Sequence, residues 1–154
     1  MKVNEIMTAT PSTCSATDSI SNVAKLMRDN DCGAVPIVDN GRVVGIVTDR
    51  DLAVRGLAEG KGGDARVSEV MTPSPQCCSP NDEMREVEQI MAERQVRRIP
   101  IVDGDGRCVG IVSQADLARA SKNTSVSDRE VAIVVEAISQ PSGSQTSRGI
   151  ERRM

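Results

Sequence analysis

The sequence contains no phenylalanine, tyrosine, tryptophan or histidine among its 154 residues. An apolar core must therefore be built from valine, isoleucine, leucine, methionine and alanine side chains. The missing aromatic rings also remove the stacking platforms with which proteins bind single-stranded nucleic acids. A formal net charge of −3 argues further against a general nucleic-acid-binding protein.

Other absences bear on location and catalysis. No apolar run approaches the roughly 20 residues that a membrane-spanning helix requires, and the first residues lack the apolar region of a signal peptide. We therefore expect a soluble cytoplasmic protein without a membrane segment. Because there is no histidine and no nucleophile–base pair is visible from the spacing, an enzyme is the weakest functional hypothesis, and no catalytic residue is assigned.

Cysteine is present, but its pattern is not that of a disulfide framework. The cysteines are odd in number, they are scattered, and no two form a CxxC motif. We expect all of them to be free thiols in a reducing compartment, and no metal site, because no histidine can complete a zinc site. The adjacent pair Cys77–Cys78 leaves a redox or soft-metal site open as an alternative. The five cysteines are Cys14, Cys32, Cys77, Cys78 and Cys108.

The chain is organised around residues 43–52, Val-Val-Gly-Ile-Val-Thr-Asp-Arg-Asp-Leu. The β-branched run predicts a buried strand that continues directly into a helix. Thr48 and Asp49 can cap the start of that helix, and a helix N-terminus favours an anion. Asp51, three residues after Thr48, adds a carboxylate that can accept hydrogen bonds from a sugar diol.

The same pattern returns at residues 108–117, so the chain is a tandem repeat. Ile6-Met7-Thr8 recurs 64 residues later as Val-Met-Thr at 70–72, and the segment 35–39, Val-Pro-Ile-Val-Asp, recurs at 99–103. One extra residue then enters the turn of the second copy. A turn is where a repeat should tolerate an insertion.

Each copy predicts the same order of elements: an extended opening, an amphipathic helix, a strand, a turn, a second strand and a closing helix. The predicted first helices, first strands and closing helices are residues 19–30 and 83–95, 34–39 and 98–103, and 49–58 and 114–121. The predicted divisions of the chain are a first repeat at 1–64, a second repeat at 65–122, a C-terminal helix at 123–140 and a disordered tail at 141–154.

These doubled motifs resemble those of cystathionine-β-synthase-type domains, known as CBS domains, arranged as a tandem pair. The resemblance covers about residues 3–121 and rests on Ile-Met-Thr, Val-Pro-Ile-Val-Asp and Gly-Ile-Val-Thr-x-x-Asp, each present twice in register with small changes. It implies an α+β fold of two β-α-β-β-α repeats, packed through their sheets with pseudo-two-fold symmetry and two clefts between them. It also implies a standalone CBS-pair protein that binds adenosine compounds and pairs with a second copy.

The family's Ser/Thr-x-x-Asp motif falls on Thr48 with Asp51 and on Ser113 with Asp116. By resemblance, each carboxylate accepts hydrogen bonds from a ribose, and each hydroxyl, with its helix N-terminus, faces the first phosphate. Helix capping without any ligand is the alternative for both pairs.

The resemblance also implies a phosphate contact from a basic residue before the Ile-Pro-Ile strand, here Arg97 or Arg98. The first repeat has Gly33 and Ala34 at these positions, and Arg50 is its substitute cation. We therefore expect unequal clefts, with the tighter one built around Ser113 and Asp116. The residues that the resemblance places near the base are Val35, Ile37, Ile99, Ile101, Cys14 and Cys78.

The leading functional hypothesis is a regulatory module that binds AMP, ADP or ATP, needs no separate cofactor, and acts through an unidentified partner protein. The alternatives are an interaction scaffold with empty clefts, and a module that binds S-adenosylmethionine or NAD. The closing helices carry apolar positions that predict a homodimer with an isologous interface. These positions are Leu52, Val54, Leu57 and Leu117.

Overall fold

A computed structural model describes residues 1–123 and 136–138. The strands are β1 (Thr8–Ala9), β2 (Ala34–Asp39), β3 (Arg42–Thr48), β4 (Thr72–Pro73), β5 (Arg98–Val102) and β6 (Cys108–Ser113). The helices are α1 (Ile20–Asn30), α2 (Asp49–Asp51, extended by a π-helical turn at Leu52–Gly56 and a 3-10 turn at Leu57–Glu59), α3 (Met84–Arg94) and α4 (Gln114–Asn123). Two further 3-10 turns, Val3–Glu5 and Val67–Glu69, open the two repeats. The α+β fold and the element order expected of each repeat are confirmed.

The two repeats exchange their opening strands. Six strands form two antiparallel sheets, ordered β1-β6-β5 and β2-β3-β4. β1 at the start of the first repeat therefore pairs with β6 of the second, and β4 pairs with β3 of the first. Each sheet is completed by the other repeat.

A methionine-on-glycine contact explains two of the repeated motifs at once. In the β1-β6-β5 sheet Met7 packs on Gly110, and in the β2-β3-β4 sheet Met71 packs on Gly45. A Cβ atom on Gly45 would lie 2.6 Å from the Met71 sulfur, closer than packed atoms approach. The Met-Thr opening of one repeat and the glycine of the Gly-Ile-Val strand in the other therefore form one packing unit.

Each apolar core likewise draws on both repeats. Val3 is fully buried in the cluster of the second repeat, whereas Val67 and Val70 are fully buried in the cluster of the first. Backbone hydrogen bonds from Val3 N to Asp82 O and from Val67 N to Asp18 O, both 2.9 Å, hold these openings in place. The predicted division at residues 64 and 65 describes the sequence periodicity, and the packing crosses it.

The hairpin turns of the two repeats differ in length but meet in space. Asn40 and Gly41 both have positive φ angles, 53° and 82°, which fits a type I′ turn. In the longer second turn, Asp103 Oδ1 accepts hydrogen bonds from Asp105 N at 2.9 Å and Arg107 N at 3.0 Å. The inserted residue is thus absorbed in the turn, as the sequence predicted.

The end of the chain is described only in part. Residues 136–138 are helical, and Ile138 is buried against the second core. The rest of the predicted C-terminal helix beyond Asn123, and the predicted tail, lie outside the described residues. Among the described helices, none combines the length and the apolar character needed to span a bilayer.

Candidate functional site

A recess of about 440 Å³ lies where β6 passes into α4, and we call it the second cleft. Its walls come from the start of β5 and the first turn of α4, which a hydrogen bond from Gln114 N to Arg97 O, 2.9 Å, holds together. Three residues predicted for ligand binding, Arg97, Arg98 and Ser113, lie side by side in it. The lining residues are Arg97, Arg98, Ser113, Gln114, Ala115 and Ala118.

Asp116 is not among the lining residues of the second cleft, and its carboxylate is held by neighbouring groups of α4. Its Oδ2 accepts a hydrogen bond from Ser113 N at 2.7 Å, and its own N–H donates to Ser113 Oγ at 3.2 Å. This reciprocal pair is a capping arrangement for α4. The other carboxylate oxygen forms an ion pair with Arg119, and the Asp116 side chain is only 5% exposed.

Thr48 and Asp51 repeat this arrangement at the start of α2 with looser contacts. Asp51 Oδ2 accepts from Thr48 N at 2.9 Å, and Asp51 N donates to Thr48 Oγ1 at 3.1 Å. The Asp51 side chain is 17% exposed, and its ion pair with Arg55 spans 3.9 Å. Both motifs therefore cap helices in this structure.

Arg98 reaches from the second repeat to the strand–helix junction of the first. A Cβ atom on Gly33 would lie 2.9 Å from Arg98 Nη2 and 3.1 Å from Asp49 Oδ2, so both groups flank this glycine. Asp49 N donates to Gly33 O at 3.0 Å, which ties the glycine to the start of α2. The sequence interpretation named Arg98 as a site residue but did not predict its reach to the first repeat, because it assigned arginines to clefts by repeat. The one signal was a glycine at the position matched to Arg97.

Arg50, the predicted substitute cation, is exposed on the first turn of α2. Its backbone N–H donates to Asp49 Oδ1 at 2.8 Å. Arg50 and Arg98 therefore both lie near Asp49, one from each repeat.

The aliphatic residues predicted near the base are buried in the two cores. They have no exposed surface, and none of them lines the second cleft. In the described arrangement their contribution is strand packing. These residues are Val35, Ile37, Ile99 and Ile101.

Cys14 and Cys78 are also buried, next to strands β2 and β5. Burial is the main cause that raises the pKa of the Cys14 thiol to about 12 and that of Cys78 to about 11. Such thiols stay protonated at neutral pH and react slowly. All five cysteines are free, as the sequence predicted. Within the described part of the chain, no three cysteine or carboxylate side chains cluster as metal ligands.

Together the exchanged strands, the two strand–helix junctions and the recess beside one of them define a tandem α+β repeat protein with pseudo-two-fold symmetry. The CBS domain model matches residues 3–56 and again 67–123, so the chain belongs to the CBS domain family as a tandem pair.

Relatives and solved structures agree with this assignment. The chain is 41% identical over 116 residues to the CBS domain-containing protein YhcV of Bacillus subtilis, covering 75% of this chain and 82% of YhcV. It superposes with a TM-score of 0.74 and 29% identity on the CBS domain pair of protein MJ0100 in complex with 5′-methylthioadenosine and S-adenosyl-L-methionine, covering 80% and 97% of the two chains. The TM-score with CBSX2 in complex with AMP is 0.70 at 26% identity, covering 79% and 96%.

Proposed function

We propose that this protein is a regulatory module that binds a phosphate-bearing adenosine ligand, AMP, ADP or ATP, in the second cleft. The observation that carries the proposal is the convergence of Arg97, Arg98 and Ser113 on one recess at the N-terminus of α4. CBS pairs solved with AMP and with S-adenosyl-L-methionine support the adenosine class of ligand. Two arginines favour a phosphate-bearing ligand over the sulfonium cation of S-adenosylmethionine or a ligand without charge.

The phosphate end of the ligand would lie beside the first turn of α4, next to Arg97 and Arg98, which both line the recess. Guanidinium forks match phosphate oxygens in two-point contacts, and backbone N–H groups at a helix N-terminus add a favourable dipole. The Ser113 hydroxyl lines the same recess and gives a third polar contact.

The ribose hydroxyls would donate hydrogen bonds to Oδ1 of Asp116. That oxygen pairs with Arg119, whose side chain is 68% exposed. Oδ2 of Asp116 keeps its hydrogen bond from Ser113 N, so α4 stays capped while a diol binds. Ligand binding would thereby break the ion pair between Asp116 and Arg119, a change near the surface that a partner protein can sense.

Calorimetric titration of AMP, ATP and S-adenosylmethionine tests this function. Arg97→Gln and Arg98→Gln should each weaken nucleotide binding about tenfold, because each removes a charge-assisted contact. Arg85→Gln, which removes an exposed arginine of α3, should bind as the wild type does. Binding of S-adenosylmethionine alone would contradict the ligand class. Failure of all three ligands to bind would favour an interaction scaffold with empty clefts.

We also propose that two copies associate through α2 as an isologous homodimer. Val54 is 45% exposed and Leu57 is 77% exposed, and these are two of the three large apolar side chains exposed in the described chain. Both belong to the helix that starts at the Thr48–Asp51 cap, so an event at that junction would reach the interface. Leu117, which was predicted to share this surface, is fully buried in the second core, and that part of the prediction was wrong.

A further inference from the structure

The two hairpin turns meet on the pseudo-two-fold axis and place two arginines face to face. Val43 N donates to Gly106 O and Cys108 N donates to Gly41 O, both at 3.1 Å. These bonds frame an antiparallel bridge between Arg42 and Arg107. In such a non-hydrogen-bonded pair the two side chains lie on the same face, with Cα atoms about 4.5 Å apart.

Both arginine side chains are laid against the opposite turn. Arg107 crosses Gly41, where a Cβ atom would lie 2.8 Å from its Nη1 and 3.7 Å from its Cζ. The Arg42 stem lies 3.8 Å from the Cβ position of Gly106. Gly41 and Gly106 have φ angles of 82° and 81°, so each turn both requires a glycine and offers a flat surface to the guanidinium chain across from it.

These arginines border a recess of about 440 Å³ that is separate from the second cleft, and we call it the turn recess. The two recesses share no lining residue and lie at opposite ends of the β5–β6 hairpin. No described carboxylate lies within ion-pair distance of Arg42 or Arg107, although Asp39 lines the recess. The lining residues are Asp39, Asn40, Arg42, Val44 and Arg107.

Two like charges directly opposite each other destabilise a pair of strands. The cost falls where the two repeats join, since the bridge links the turn of one to the turn of the other. A multivalent anion bound between the two guanidinium groups replaces the repulsion between them with attraction to the anion. It thereby stabilises the contact between the repeats.

We propose that the turn recess is a binding site for a phosphate group, distinct from the second cleft. Phosphate fits better than a carboxylate because it offers three or more oxygens to two planar forks and carries more than one negative charge. The Asn40 amide can add a donor, and Asp39 opposes the anion and sets its affinity. The phosphate group can belong to free pyrophosphate or to the polyphosphate end of a nucleotide.

The test is calorimetric titration of inorganic pyrophosphate, and in parallel of ADP, into the full-length chain. Arg42→Gln and Arg107→Gln should each weaken pyrophosphate binding about tenfold, the effect of losing one charge-assisted contact. Asp39→Asn removes the opposing charge and should tighten it. Arg85→Gln makes the same change of charge on the exposed face of α3 and should leave it unchanged. If Arg42→Gln and Arg107→Gln weaken the binding of ADP as much as that of pyrophosphate, a nucleotide can supply the phosphate group. If they weaken the binding of pyrophosphate alone, the ligand is the free anion.

Three results would overturn the proposal. The first is an Arg85→Gln variant that weakens binding as much as Arg42→Gln does, since this indicates attraction to overall charge. The second is complete loss of pyrophosphate binding in Arg97→Gln with no effect of Arg107→Gln, since this places the anion in the second cleft. The third is an unchanged or lower affinity in Asp39→Asn. Because the clefts and the turn recess are probed by different variants, failure here leaves the proposed function untouched, and the reverse also holds.

Discussion

Asp51 and Asp116 occupy matching positions in the two repeats, but their carboxylates are held to different degrees. Asp116 is nearly inaccessible and has hydrogen-bond or ion-pair partners on both oxygens, whereas Asp51 is more open and its arginine partner stands 3.9 Å away. Removal of a capping side chain costs about 0.5–2 kcal/mol. A buried cap with a charged partner belongs at the upper end of this range.

Asp116→Ala should therefore destabilise the protein by about 2 kcal/mol, and Asp51→Ala by about 1 kcal/mol or less. Asp116→Asn should recover part of the loss, because its amide oxygen can still accept from Ser113 N. Urea denaturation of the three variants and the wild type measures these differences. Equal losses for both alanine variants would show that the tighter packing around Asp116 adds no stability. A loss of nucleotide affinity in Asp116→Ala is attributed to the missing carboxylate only when the variant is folded under the conditions of the binding experiment.

Gly33 is the residue over which Arg98 passes from one repeat to the other. Gly33→Ala should displace the Arg98 guanidinium, because the new Cβ would lie 2.9 Å from its Nη2. The cost to stability should be small, since the end of a long side chain can move. Nucleotide affinity should fall a few-fold in calorimetric titration. Gly104→Ala is the matched control, because nothing lies within 4 Å of its Cβ position. Unchanged affinity in Gly33→Ala would mean that the crossing of Arg98 does not position it for ligand.

At the scale of elements, α2 and α4 are equivalent in sequence but differ at the surface. The positions of Val54 and Leu57 in α2 correspond to Arg119 and Lys122 in α4. Val54 and Leu57 are exposed and apolar, whereas Arg119, the counterpart of Val54, is charged and 68% exposed. Helix α2 also contains a π-helical turn at Leu52–Gly56, whereas α4 is regular throughout. This difference gives the dimer proposal its location.

Leu57→Ser should shift the protein from dimer to monomer without loss of fold, because a side chain that is 77% exposed contributes little to the monomer core. Light scattering at tens of micromolar protein measures the mass, and far-UV circular dichroism checks the helices. Ala24→Ser, at an exposed position of α1, should leave the mass unchanged. A wild-type protein that is already a monomer under these conditions would refute the dimer.

At the scale of the whole molecule, the exchange of opening strands makes each half depend on the other. The segment around Val3 and β1 completes the second sheet and core, and the segment around Val67 and β4 completes the first. Neither repeat can bury its core alone, which is consistent with the small core that a chain of this size can form.

Two matched substitutions test this dependence. Val3→Ala and Val67→Ala should each cost about 1–3 kcal/mol, because both side chains are fully buried. In hydrogen exchange, Val3→Ala should lower protection most in β5 and β6, whereas Val67→Ala should lower it most in β2 and β3. Loss of protection confined to the repeat that carries each substitution would contradict the exchange of opening strands between the repeats.

The sequence by itself determined the repeats, the element order and the helix starts. Each of these is local: apolar periodicity, a Ser/Thr-x-x-Asp cap and a glycine turn act between residues a few positions apart. Predicted and observed limits of α1, α3, β2 and β5 agree within one residue. The family assignment followed because these local signals occur twice in register.

Only the tertiary structure decided whether each contact forms within one repeat or between the two repeats. Pairing of β1 with β6, the passage of Arg98 to Gly33 and the meeting of Arg42 with Arg107 join residues that are 65 or more positions apart. A repeated sequence is compatible with strands kept or exchanged, because both repeats offer nearly identical partners. Complete burial of Ile37 and Ile101 depends in the same way on packing between distant segments. Packing of the whole chain selects among partners that the local pattern cannot distinguish.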